Sequence, residues 1–338
     1  MYYILDYIDY YKETDLEKTD WNVMDNLICA ILVYLPIEGF KGRKKLARFT
    51  EYAKKYEKKD PPGNMIPLAY KVLNKIEGSA RYKEMVISNF KNDRSNQAQF
   101  GAMTVRIGRK TVIVYKGTDH SIIGWMENFR VAYDYPTYTQ DLAIEYMKKN
   151  IIPFLDREIY VTGHSKGGNL AMVAAMEMEG RCFKNIKKIY NFDGPGLRKA
   201  EFEGEKYKNL EEKLVNIVPK GSIVGMLLHN QNYTVVESAS TAINDHHPDT
   251  WRVFGEYFVP GELSKLSLKL HESAIVGVEK FSYSQAEKAF ETLFKGIEKE
   301  YTSDLDFSPE VLFNIIKNMK DVDPEIARSM YEIMKTAL

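Results

Sequence analysis

Gly163, Ser165 and Gly167 form a Gly-x-Ser-x-Gly pentapeptide, and its flanks decide what it can do. The apolar run Ile159-Tyr160-Val161-Thr162 leads into it, and the small residues Gly167, Gly168 and Ala171 leave it. That order predicts a strand turning sharply into a helix. In such a turn, side chains two residues either side of the serine would strike neighbouring backbone, hence the glycines. The serine projects at the C-terminal end of the strand, where open α/β sheets place their sites. The chemistry is nucleophilic: Ser165 attacks an acyl carbon, and the Lys166 N–H, with the helix N-terminus, faces the developing oxyanion. The alternative is a tight turn with an inert serine.

A serine at its ordinary pKa needs a base and a group that orients the base. Of six histidines, His164 lies inside the turn and is expected beside the nucleophile. His120, His229 and His271 have no supporting pattern. His246 and His247 sit late, in Asn244-Asp245-His246-His247-Pro248-Asp249-Thr250-Trp251, after a predicted strand. There the chain order Ser…Asp/Glu…His places the base, so His246 is expected in that role, with His247 beside the pocket. For the acid, Asp193 closes the next predicted strand in Asn191-Phe192-Asp193-Gly194-Pro195-Gly196 and is expected on the same sheet edge as Ser165. The alternative for Asp193 is a turn residue that stabilises its own loop.

The elements that must position these residues fall into three regions. From Trp21 to about Asn96 the chain reads mostly helical. Asp25 precedes Leu27, Ile28, Ile31, Leu32 and Leu35 at helical spacing, Pro36 ends the run, and Asp60-Pro61-Pro62-Gly63 is a breaker. From about Gln97 to Pro260, short β-branched runs alternate with helical patterns. Met103 to Ile107 and Thr111 to Tyr115 predict a hairpin joined at Gly108-Arg109. A helix at Thr139 to Asn150, a strand at Glu158 to Thr162, a helix at Ser165 to Glu179 and a strand at Lys188 to Phe192 follow. Further strands are predicted at Lys213 to Val218 and Tyr233 to Glu237. Strand, helix, strand at this spacing implies βαβ units and a mostly parallel sheet. From Glu262 onward helices return, with Ser308-Pro309-Glu310 and Asp323-Pro324-Glu325 as starts.

Composition narrows the function. Among 338 residues, 47 Lys plus Arg balance 47 Asp plus Glu, so no basic field recruits nucleic acid. Two cysteines, Cys29 and Cys182, build neither a disulfide framework nor a zinc site, and no metal-ligand spacing occurs; no cofactor or metal is expected. The longest apolar stretch, Leu27 to Ile37, has eleven residues, where a bilayer span needs roughly 20. The first residues lack a basic stretch followed by an apolar one, so a cytoplasmic protein without a signal peptide is expected.

Three stretches resemble an uncharacterised bacterial α/β-hydrolase-like family, a domain of unknown function related to the class 3 lipases. They are Tyr115-Lys116-Gly117-Thr118-Asp119 with Gly124-Trp125, then Gly163 to Ala171, then Asn191 to Gly196. Val218-Pro219-x-x-Ser222-Ile223-Val224-Gly225, His246 to Trp251 and Asn22 to Leu27 fit it as well. The resemblance implies that Thr118 donates to the oxyanion, with Lys116 where class 3 lipases usually have arginine. Trp125 matches the tryptophan that follows that turn. By their own spacing Ile122, Ile123, Trp125, Met126 and Phe129 fit one amphipathic helical face, which either lines an acyl pocket or packs into the core. Asn128 stands where those lipases usually have aspartate. Ser222 falls near the place of the class 3 acid, whereas Asp193 resembles the acid of pancreatic-type lipases. His246 matches the histidine before a Pro-x-x-Trp turn.

The expectation is one α/β-hydrolase-like domain over 1–338: an N-terminal helical region (1–96), a catalytic core (97–260) and a C-terminal helical region (261–338). It would cleave a carboxylic ester of a small or lipid-like substrate. Two alternatives stay open: a weakened hydrolase fold serving as a binding or regulatory module, and a thioesterase or peptidase.

Overall fold

The computed structural model describes residues 2–16, 19–59, 65–94, 99–118, 130–269 and 271–272. The expected helices after Ser308 and Asp323 lie outside them, as do Asp119, His120, Ile122, Ile123, Gly124, Trp125, Met126, Asn128 and Phe129.

An eight-stranded sheet forms the centre, and its strand order follows the chain without a reversal. The strands are β1 (Arg43–Lys45), β2 (Val86–Arg94), β3 (Gln99–Ile107), β4 (Lys110–Tyr115), β5 (Glu158–His164), β6 (Ile186–Phe192), β7 (Leu214–Pro219) and β8 (Tyr233–Val236). β1 to β4 pair antiparallel, and β4 to β8 pair parallel. The hairpin at Gly108-Arg109 forms as expected.

The order decides the layering. Parallel crossovers are right-handed, so successive steps in one direction place every crossover helix on one face. Tyr138–Asn150, Lys166–Met176 and Glu205–Glu211 fill that face, packing Met147, Leu170, Val173 and Leu210 on Ile113, Val161 and Ile189. The other face needs its own cover. It comes from α1 (Ile4–Tyr11), α2 (Val23–Leu32) and α4 (Met65–Ile76), with α3 (Leu46–Ala53) beside the edge strands. The crossover helices are named α5 (138–150), α6 (166–176) and α7 (205–211) below. Strand alternation serves both layers: Val112 and Val114 face the N-terminal helices, Ile113 and Tyr115 the crossover helices.

One expectation is corrected here. The region before residue 97 is not helical throughout, because β2 pairs along its length with β3. Its alternation is broken at Asn89, which has φ 53°, and the register shifts between Ser88 and Lys91. A bulge of this kind hides the two-residue period from a sequence reading.

α2 begins on Asn22, whose side chain accepts from the N–H groups of Met24 and Asp25, while Asp25 Oδ2 accepts from the Asn22 N–H at 2.9 Å. The Asp25 carboxylate also takes a two-pronged contact from Arg81, Nε to Oδ1 at 2.9 Å and Nη2 to Oδ2 at 2.6 Å. Both side chains are fully buried. Tyr82 Oη adds a third donor to Oδ1 at 2.6 Å. The Asn22-to-Leu27 segment thus ties the helical layer to the start of β2.

After β8 the chain makes a loop over 237–252 and a small hairpin, β9 (Val253–Phe254) and β10 (Tyr257–Phe258). Val253 N–H donates to Tyr2 O at 2.9 Å, fixing the hairpin against the start of α1.

Candidate active site

Ser165 stands between β5 and α6 with φ 59° and ψ −134°, a conformation that costs a non-glycine residue energy and persists only when its surroundings enforce it. Those surroundings are tight. A Cβ on Gly163 would overlap the Gly167 carbonyl, and one on Gly167 would overlap the Tyr115 carbonyl. Ser165 N–H donates to Phe192 O at 2.9 Å, and Ser165 O accepts from Gly168 N–H at 2.8 Å. The serine retains 7% of its exposure.

Parallel pairing brings the neighbouring strand ends to the same edge. Tyr115 of β4 is opposite Gly163, so the turn at Gly117 and Thr118 emerges beside the serine. A Cβ on Gly117 would lie 3.0 Å from Ser165 Cβ. Thr118 follows and is half-buried. Lys166 occupies the first position of α6, at the positive end of its dipole. Its side chain is buried, and Nζ donates to Gln99 O at 2.9 Å. Lys116 is also buried, with Nζ donating to Asn92 Oδ1 at 2.9 Å.

On the other side, His164 of β5 pairs with Phe192 of β6, and Asp193 follows directly. Asp193 is fully buried and has φ 49°. Asn191 holds this turn: its Oδ1 accepts from Gly194 N–H at 2.9 Å, and its Nδ2 donates to Asn216 Oδ1 at 3.1 Å. Asp193 N–H donates to Ile217 O at 2.8 Å.

His246 arrives from the loop after β8. Its Nδ1 lies 2.6 Å from Asp193 Oδ2. A carboxylate oxygen accepts, so Nδ1 carries a proton, and in the neutral ring Nε2 is the nitrogen with the lone pair. The loop is held in two ways. Trp251 is buried and its Nε1–H donates to Asp245 O at 2.7 Å. His164 Nε2 lies 2.8 Å from the carbonyl of His246 itself.

His164 keeps only 1% of its exposure, and its two ring nitrogens are both engaged. Burial, and then the nearby His246 ring 4.5 Å away, hold its pKa well below the ordinary histidine value. The ring is therefore neutral. A carbonyl cannot donate, so Nε2 bears the hydrogen, and Nδ1 accepts from Tyr34 Oη at 3.1 Å. His164 stands behind the site and clamps the backbone of His246. His247 is half-buried, and its carbonyl accepts from Thr250 Oγ1 at 2.7 Å.

Two residues acquire places that the sequence reading did not assign. Ser222 Oγ donates to Asp193 Oδ1, which also accepts from Gly225 N–H at 3.2 Å. Tyr34 lies within the apolar Leu27-to-Ile37 run, where a lone buried hydroxyl that must find a partner was the available signal. Among the described residues, no cluster of three His, Cys, Asp or Glu side chains is placed to hold a metal, and no helix is long and apolar enough to cross a membrane.

No curated protein matches the chain. A family model described as Mbeg1-like matches residues 76–295, which takes in β2 to β8, the Ser165 turn, Asp193 and the His246 loop. That is well over half of the 338 residues, and the chain belongs to the Mbeg1-like family.

Proposed function

We propose that the protein is a serine hydrolase of carboxylic esters, lipase- or esterase-like, working through an acyl-enzyme. The observation that supports this reading most is the 2.6 Å contact of His246 Nδ1 with Asp193 Oδ2, on the sheet edge that carries Ser165. In this reading Nε2 of His246 takes the Ser165 proton as Oγ attacks the ester carbonyl, and Asp193 steadies the imidazolium that results. The Lys166 N–H and Thr118 hold the oxyanion. His246 then returns the proton to the leaving alcohol, and water repeats the sequence to release the acid. His164 and Tyr34 supply rigidity, because a base that drifts by about 1 Å loses on the order of 10²-fold in rate.

An uncharged Ser222 near the place of the class 3 acid would favour the weakened-fold alternative if no other carboxylate served the histidine. Ser222 instead donates to Asp193, so its lack of charge is no argument against a working triad.

The test is fluorophosphonate labelling and hydrolysis of short p-nitrophenyl esters by the purified chain. The wild type is expected to label and turn over, and Ser165→Ala to lose labelling and about 10⁴-fold or more in rate. A wild-type chain that neither labels nor hydrolyses would leave the binding-module reading in its place.

A further inference from the structure

We propose that the cleft between α1 and the β9–β10 hairpin binds a weakly hydrated organic cation, a quaternary ammonium or guanidinium group. This site is separate from the triad and does not rest on the hydrolase reading.

The cleft encloses about 290 Å³, enough for a small cationic head group. Its lining is aromatic: Tyr2, Tyr7, Tyr10 and Tyr11 from the N-terminal segment and Phe254 from β9, with Asp6 among them. The rings are tilted against one another. Tyr7 and Tyr11 have centroids 4.7 Å apart at 32°, and Tyr10 and Tyr11 are 4.9 Å apart at 66°. Aromatic rings are electron-rich over their faces, so a cleft lined by five of them favours a cation over an anion. Tyr10 and Phe254 remain 78% and 73% exposed, so most of their aromatic surface is left uncovered by the described residues.

Charge points the same way. Asp6 accepts from Tyr3 N–H at 2.9 Å through Oδ2, and Oδ1 has no hydrogen-bond partner among the described residues. Glu256, in the hairpin turn, adds to burial in pushing the Tyr11 phenol pKa up, which places its charge near the cleft. Of the cations on this side of the fold, Arg81 is matched one-to-one by Asp25, and Lys12 and Lys75 share the Asp9 carboxylate. An anion would meet two carboxylates here. A hard metal ion takes about six or more oxygen ligands, and the ring faces that make up most of these walls supply none. A strongly hydrated ammonium gains less from apolar walls than a guanidinium or a methylated nitrogen does.

The walls are pre-formed. Val253 is tied to Tyr2, the Tyr7 hydroxyl accepts from Asn22 Nδ2 at 3.0 Å, and an ideal Cβ on Gly255 would lie 3.7 Å from Tyr11 Oη.

The test titrates the full chain calorimetrically with choline, with its uncharged carbon isostere 3,3-dimethylbutan-1-ol, and with N-acetyl-arginine amide. Saturable binding of choline or the arginine amide, at least about 10-fold tighter than the isostere, is expected. The tighter of the two cations identifies the source as a free quaternary ammonium or a guanidinium-bearing segment. Tyr10→Leu and Phe254→Leu, both exposed and outside the core, should each weaken binding about 3- to 10-fold with the melting temperature unchanged. Asp6→Asn should weaken both cations and leave the isostere alone. Affinity of both cations no greater than that of the isostere, or no saturation by either cation, would overturn the proposal. So would self-association of the wild type that Tyr10→Leu and Phe254→Leu abolish, since the face would then join two copies.

Discussion

Ser222 Oγ and His246 Nδ1 address opposite oxygens of one carboxylate, Oδ1 and Oδ2 of Asp193. The side chain of Asp193 is thereby held from both sides, with the Gly225 N–H as a further donor to Oδ1. A hydrogen bond to a charged group contributes about 1.5–3 kcal/mol. Ser222→Ala should therefore lower kcat by roughly 10- to 100-fold while KM barely changes, because no substrate contact is lost. Ser222→Thr keeps the hydroxyl and should recover part of the rate. Steady-state kinetics on a soluble ester check this; a loss confined to KM would place Ser222 in the binding pocket instead.

His164 makes stability depend on pH with a definite sign. Its pKa in the folded chain is lowered from the ordinary 6.5, chiefly by burial. Below about pH 6.5 the unfolded chain binds a proton that the folded chain refuses, so this contribution is whole above that pH and is lost as pH falls. The limiting slope is about 1.4 kcal/mol per pH unit for one proton. His164→Gln cannot take up a proton and should flatten the acid limb between pH 6.5 and the folded-state pKa. Urea unfolding at a series of pH values measures both chains, and parallel acid limbs would show that His164 does not carry the effect.

The Asp25–Arg81 pair tests whether the N-terminal helices belong to the same folding unit as the central sheet. Both side chains are buried, so Asp25→Asn strands the guanidinium and Arg81→Met strands the carboxylate. Each should cost about 3–5 kcal/mol. The double variant Asp25→Asn with Arg81→Met should cost less than the sum, since neither charge is then left alone. Additive losses in urea unfolding would mean that the two residues act through separate contacts, such as the Asn22 cap on one side and Thr19 on the other.

What could be read in advance was whatever is local in the chain. Gly163, Ser165 and Gly167 signal their turn within five residues, and strands such as Glu158–His164 and Leu214–Pro219 declare themselves by short β-branched runs. The layering was not local. The helices before residue 97 were expected as a region apart from the core, yet the strand order sends every crossover helix to the opposite face, and among the described residues α1, α2 and α4 are the main cover of the remaining one. β2 escaped because the Asn89 bulge disrupts its alternation. Around the site, the missed partners act across long separations: Tyr34 reaches His164 over 130 residues, and Ser222 reaches Asp193 over 29. Neither spacing carries a periodic signal. Ser222 also shows that a position lacking charge can still serve a carboxylate, as a donor to it.

Three aspartates near His246 separate orientation of its ring from scaffolding of its loop. Asp193 accepts from His246; Asp245 is equally buried, but its Oδ1 accepts from Ser238 Oγ at 2.6 Å and its carbonyl from Trp251 Nε1–H; Asp249 is exposed. Asparagine tolerates positive φ better than most residues, so Asp193→Asn preserves the backbone at φ 49° while removing the charge. It should lower kcat on the order of 10⁴-fold, the usual consequence of presenting the base in the wrong tautomer, with a melting temperature close to wild type. Asp245→Asn changes a buried group that braces the loop, so its cost of about 1–3 kcal/mol should fall on stability, with kcat reduced less than 10-fold. Asp249→Asn should leave both unchanged. Paired measurements of kcat and melting temperature on the three variants decide the assignment. If Asp245→Asn loses as much kcat as Asp193→Asn, the carboxylate that serves His246 in turnover is not the one it touches at rest.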